Sequence, residues 1–90
     1  MLHGYEGIVE VAITRLAAAD RKDRGAREAE ARRALRRFAS AARTFVVGAP
    51  RVARWRSRYF EVVGDVARAK RWGTRESTLA RELGLPVASR

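Results

Sequence analysis

The side chains best equipped for chemistry in this 90-residue chain are arginines. There are 18 of them, against two lysines, ten carboxylates, one histidine and no cysteine. Two groups have a spacing that could grip an anion. Arg51, Arg54 and Arg58 fall beside a helical stripe that contains Trp55 and Tyr59. A guanidinium pair one turn apart can hold a phosphate or carboxylate through paired N–H donors. Arg32, Arg33, Arg36, Arg37 and Arg43 form a denser set that could track a phosphate backbone. Against these stand plainer roles: a solvated helix face for the second group, and pairing with Glu61, Glu76 or Glu82 for Arg54 and Arg58. Trp55, Tyr59, Phe60 and Trp72 could stack on bases, but their helical spacing favours an inter-helix core.

Other chemistry is excluded by inventory. Without cysteine there is no zinc ribbon, iron–sulfur site or disulfide scaffold. A single histidine, His3, near a chain end, rules out both a multi-histidine metal site and a His-based triad. No Gly-rich loop leads into Lys-Ser/Thr. The expectation is a protein with no catalytic site, no metal and no cofactor. The formal net charge of +10 leaves two classes: a basic nucleic-acid binder, or a helical interaction module with a basic solvent face. The chain contains no Asn or Gln to read adenine, although Arg could read guanine, so nucleic-acid contact is expected mainly to the backbone with little base specificity. An Arg- and Ala-rich, Lys-poor vocabulary is also what a GC-rich genome writes, so codon bias is an alternative source of the charge.

These side chains must be carried by a small domain. Apolar residues make up 47% of the chain, yet 17 of them are Ala. A chain of this size buries only about 60–65% of its unfolded surface. No segment reaches the ~20 apolar residues of a membrane span. The N-terminal stretch carries Glu6 and Glu10 with no early base, unlike a signal peptide. A soluble, cytoplasmic protein with no membrane partner is the expectation.

Gly and Pro divide the chain into four helical pieces. The first, about Gly4 to Ala19, has Tyr5, Ile8, Ala12, Leu16 and Ala19 at helical spacing, with Val9 and Ile13 beside them. A polar connector follows at residues 20–25. The second piece, Ala26 to about Val46, places Ala31, Ala34, Leu35, Phe38, Ala41, Ala42 and Phe45 in an arc of about 120°. Its arginines lie opposite, and Glu28 stands four residues before Arg32. Gly48-Ala49-Pro50 ends that helix, and Pro50 suits the first turn of the next. The third piece, Pro50 to Val63, has a face of Val52, Trp55, Tyr59, Val62 and Val63. Gly64-Asp65 is a turn, with Asp65 as N-cap. The fourth, Val66 to Leu83, has a stripe of Val66, Ala69, Trp72, Leu79 and Leu83. Gly73-Thr74 predicts a bend in it, and Gly84 with Pro86 a stop. The expectation is an all-α single domain, residues 1–90, of two antiparallel α-hairpins, about 4–47 and 50–85.

The second hairpin resembles a tetratricopeptide unit. Its landmarks are Trp55, the Gly64-Asp65 turn, the small Ala69, bulky Trp72 and the closing Pro86. Ser57 or Arg58 stands where that unit has its small helix-A glycine. The strings GYEGIVEVAITRL, ARRALRRFASAARTFVVGAPRVARWRSRYFEVVGDVARAKRW and STLARELGLP are similar to the C-terminal helical-repeat region of large bacterial regulatory ATPases. Some of these carry class III adenylate/guanylate cyclase or kinase domains. The resemblance covers nearly all of residues 4–86. It implies a solenoid fragment that serves protein–protein interaction as a regulatory tail, with none of the family's ATPase or cyclase residues present. A repeat surface binds through its groove. Arg51, Arg54, Arg58 and Tyr59 are then the candidate contacts for a protein or acidic peptide. Two hairpins leave open ends, which implies self-association.

Overall fold

The computed structural model describes residues 2–45 and 48–84 and consists there of four helices: α1 (Leu2–Ala18), α2 (Arg24–Ala42), α3 (Gly48–Val63) and α4 (Val66–Glu82). The side chain of His3, the residues Val46 and Val47, and Pro86 lie outside the described residues. Consecutive helices form antiparallel hairpins, and α3 packs on both helices of the first hairpin. The all-α, two-hairpin architecture follows from the 3.6-residue apolar periodicity.

The core is centred on the first hairpin. Val9, Ala12, Ile13 and Leu16 of α1 meet Ala31, Ala34, Leu35, Phe38 and Ala42 of α2, and Val52 and Tyr59 of α3 close the cluster. Leu16, Phe38 and Val9 are wholly buried. The α1 stripe is rotated from the expected one: Val9 and Ile13 are inside, while Tyr5 and Ile8 are exposed. Helices α2 and α3 cover the side of α1 that carries Val9, Ile13 and Leu16, whereas Tyr5 and Ile8 border the groove that α1 shares with Arg33, Ala34 and Arg37 of α2.

The boundaries differ from the sequence expectation most at the two ends of α2, and α3 begins at Gly48 rather than Pro50. Helix α2 begins at Arg24, so the connector is shorter than residues 20–25 and Gly25 sits in the first turn. Asp23 closes onto Asp20, and the Arg24 guanidinium donates to the Val62 carbonyl at 2.7 Å. That bond ties the start of α2 to the end of α3. Helix α2 also stops at Ala42 rather than near Val46. The Thr44 hydroxyl donates to the Ala41 carbonyl at 3.0 Å, a local bond that competes with continued helix. Phe45 consequently leaves the stripe and is 46% exposed.

Gly48 makes this corner possible. A β-carbon there would collide with the Ala42 carbonyl oxygen and stand 2.7 Å from its Cβ. In the second hairpin the turn is as expected. Gly64 adopts φ +87°, a left-handed conformation suited to glycine. The Asp65 carboxylate accepts the Arg68 backbone N–H at 3.0 Å. Helix α4 runs through Gly73-Thr74 without interruption. Val66, expected on its buried stripe, is the first residue of the helix and is 75% exposed. Helices α3 and α4 cross where Ser57, 5% exposed, donates to the Ala69 carbonyl at 2.8 Å. Ser57 is thus the small residue at which α3 and α4 approach each other.

Candidate partner-binding cleft

The expected contact group on α3 divides by environment. Arg51 donates to Glu6 Oε1 at 3.2 Å, and Trp55 Nε1 donates to Glu6 Oε2 at 3.0 Å. These two α3 residues clamp a carboxylate of α1 and join the hairpins. Tyr59 is 5% exposed, packs edge-on to Phe60 with ring centroids 5.2 Å apart, and accepts a long hydrogen bond from Arg32 Nη1 at 3.5 Å. Its ring belongs to the core. Arg54 and Arg58 remain exposed.

Arg32, Arg33, Arg36, Arg37 and Arg43 are all exposed, but they do not make one track. At about 100° per residue, Arg32, Arg36 and Arg43 fall within about 40° of one another, and Arg33 and Arg37 form a second row about 100° round the helix. The first row leans toward α3, where Arg32 meets Tyr59 rather than Glu28. The second row borders a groove of about 640 Å³ between α1 and α2. There Glu30 collects Arg27 at 3.5 Å and Arg15 at 3.8 Å.

The aromatic residues are likewise dispersed. Trp55 sits at the α1–α3 junction, whereas Trp72 is half-buried on α4. Above the Trp72 ring lies the Arg56 guanidinium, 4.8 Å from the centroid, in cation–π geometry. This pair forms one wall of a cleft of about 310 Å³ where α2, α3 and α4 converge. Its apolar lining comes from Ala39, Ala42 and Phe45 on one side, Ala49 and Val52 on the floor, and Trp72 and Leu79 opposite. Arg43, Arg56 and Arg75 supply its charged lining, and no carboxylate lines it. Each helix that borders the cleft contributes or adjoins one of these cations.

In the sequence Arg43 stands out only within the α2 set and Trp72 only as a stacking or core ring, whereas Arg56 and Arg75 carry no site role. The available signal was the position of Arg56. It departs from the Arg51–Arg54–Arg58 row, and an arginine near an apolar stripe needs a partner such as an aromatic face.

Among the described residues, no three His, Asp or Glu side chains gather in a set that could hold a metal ion. No helix among them is long and apolar enough to cross a membrane. The chain matches no protein-family model, no curated protein and no solved structure.

Proposed function

We propose that the chain is a non-catalytic helical-repeat module that holds an acidic segment of another protein. The observation that carries this reading is the cleft between α2 and α4, with three guanidiniums around an apolar lining and no carboxylate. Such a site favours a short amphipathic segment with one or two apolar anchors flanked by Asp or Glu. Guanidinium–carboxylate bonds give orientation, and the apolar anchor contributes most of the affinity. In the setting implied by the sequence resemblance, the module is the tetratricopeptide-like regulatory tail of a signalling ATPase or cyclase, and the acidic segment belongs to the protein that regulates it.

The experiment is direct titration with a labelled amphipathic acidic peptide and with its Gln-substituted counterpart. Saturable binding of the acidic peptide alone, lost when Arg43 and Arg75 are both replaced by Glu, supports the reading. Equal binding of both peptides sinks it.

A second reading, a small basic nucleic-acid-binding protein with backbone contacts, draws on the exposure of Arg32, Arg33, Arg36, Arg37 and Arg43. The division of these residues into two rows fits diffuse electrostatic attraction better than a groove-following contact.

A further inference from the structure

Helix α1 places two glycines, Gly4 and Gly7, on the wall of the groove that it shares with α2. Glycine within a helix weakens it relative to alanine. Close packing does not require either one, since a β-carbon at Gly4 or Gly7 would meet nothing within 4 Å. Their missing side chains instead open a recess between the two helices. Ile8 and Val11 flank it and are 58% and 55% exposed, while Ala12 and Ala34 are buried beneath. A concave, mostly apolar site of about 640 Å³ falls within the range of small-molecule sites. Its lining runs from Gly4 to Arg15 along α1, about 16 Å at 1.5 Å per residue, which accommodates an extended alkyl chain of ~12 carbons.

The charged groups of this groove are unevenly placed. Glu30 is the only carboxylate that lines it, and it is engaged at one end by Arg15 and Arg27. Arg33 and Arg37 stand one turn apart on the α2 bank and are exposed. The rim away from Glu30 is therefore cationic, beside an apolar recess. Such a pairing matches a ligand with one anionic head and one apolar chain: two guanidiniums take the oxygens of the head, and the recess removes the chain from water.

We infer that the α1–α2 groove binds a fatty-acid anion. The alkyl chain lies along Gly7, Ile8 and Val11 above Ala34, and the carboxylate meets Arg33 and Arg37. A flat membrane surface would touch Ile8 and Val11 and leave the recess over Gly7 unfilled, whereas a single alkyl chain is narrow enough to enter it. The site does not use the Arg43–Arg56–Arg75 cleft, and it stands independently of the acidic-partner reading.

Isothermal titration of the full chain with decanoate, below its micelle concentration and at ~0.15 M salt, is expected to show saturable binding. Across hexanoate, octanoate and decanoate the affinity should rise about two- to fourfold per added methylene, as part or all of each CH₂ leaves water. Decanol has the same chain without the charge and should bind at least ~10-fold more weakly. Gly7→Leu fills the recess with a good helix former, so it should raise the thermal midpoint and still weaken decanoate at least ~10-fold. Arg33→Glu/Arg37→Glu should weaken decanoate by as much, whereas Arg54→Glu/Arg58→Glu makes the same change in net charge elsewhere and should cost less than ~3-fold. Equal affinity for decanol, affinity independent of chain length, or unchanged binding by Gly7→Leu overturns the inference. So does binding to anionic phospholipid vesicles without binding of monomeric decanoate, which assigns the face to a membrane surface. Competition between decanoate and the acidic amphipathic peptide also overturns it, by giving the groove to the peptide. A mass above 10.1 kDa in light scattering that Ile8→Glu returns to the monomer's overturns it as well, by giving the groove to a second copy.

Discussion

Trp55 of α3 donates its indole N–H to the Glu6 carboxylate of α1 at 3.0 Å. The other carboxylate oxygen is held by Arg51, so one acid of the first hairpin satisfies two donors of the second. Glu6→Ala leaves a half-buried indole N–H and a guanidinium without their acceptor. A loss of about 1.5–3 kcal/mol in urea unfolding is expected, the range for hydrogen bonds to charged groups. Glu6→Gln keeps an acceptor for Trp55 and should lose less. Equal stability of wild type and Glu6→Ala would show that the clamp adds nothing to hairpin docking.

The α3–α4 crossing depends on Ser57, whose hydroxyl is buried against the Ala69 carbonyl. Ser57→Ala preserves the small volume and removes one hydrogen bond, for an expected loss of about 1 kcal/mol. Ser57→Leu forces the helices apart and should be worse, at about 1–3 kcal/mol or more. Thermal unfolding of the two variants gives the order. If Ser57→Leu is as stable as Ser57→Ala, the helices do not cross closely at this point.

Gly48 is the corresponding control for the corner between the hairpins. Its missing Cβ leaves room for the Ala42 carbonyl, and an added methyl must push backbone rather than a flexible side chain. Gly48→Ala is expected to destabilise by about 1–3 kcal/mol, despite the better helix propensity of Ala. Gly25→Ala meets nothing nearby and lies in a helix, so it should stabilise by a few tenths to about 1 kcal/mol. Opposite signs for the two substitutions in chemical denaturation are the expected result.

The helices and both hairpins were legible because Ala, Arg and the larger apolar residues repeat at helical spacing and Gly64-Asp65 marks a turn. The ends of α2 were less so. Thr44 withdraws Phe45 from the stripe through a bond to Ala41, and that competition is between two local options of similar energy. The rotation of α1 was not legible at all, since Tyr5 and Ile8 are as apolar as Val9 and Ile13. Only the placement of α2 and α3 on one side decides which flank is buried. The cleft was missed for the same reason. Arg43, Arg56 and Arg75 lie on three helices, and nothing in their linear spacing brings them together around Trp72.

The two arginine groups of the chain can be separated by substitution. Arg54 and Arg58 are each about 160° from Arg56 around α3, so they face away from the cleft. Arg43→Glu/Arg75→Glu is expected to weaken an acidic amphipathic peptide at least ~10-fold, since two charge-assisted contacts become repulsive. Arg54→Glu/Arg58→Glu makes the same change in net charge at a distance and should cost less than ~3-fold through long-range attraction alone. Equal losses from the two variants would mean that net charge, and not the cleft, attracts the peptide. The reverse order would move the contact to the outward side of α3.

Nucleic acid provides the remaining comparison, because a chain with a charge of +10 attracts any polyanion at low salt. Arg32, Arg36 and Arg43 form one row and Arg33 and Arg37 another, so a short DNA duplex can meet only part of the set at once. Single substitutions to Ala in either row should then weaken duplex binding by similar, small factors, irrespective of DNA sequence. Each should lower the slope of log affinity against log salt by about one or less. Wild-type binding is expected to fade between about 0.05 and 0.2 M salt. The acidic peptide should retain part of its affinity over that range, since its apolar anchor is not screened. Saturable, sequence-selective duplex binding at ~0.15 M salt, with one row of α2 carrying most of the loss, would make nucleic acid the specific partner and reduce the cleft to a secondary feature.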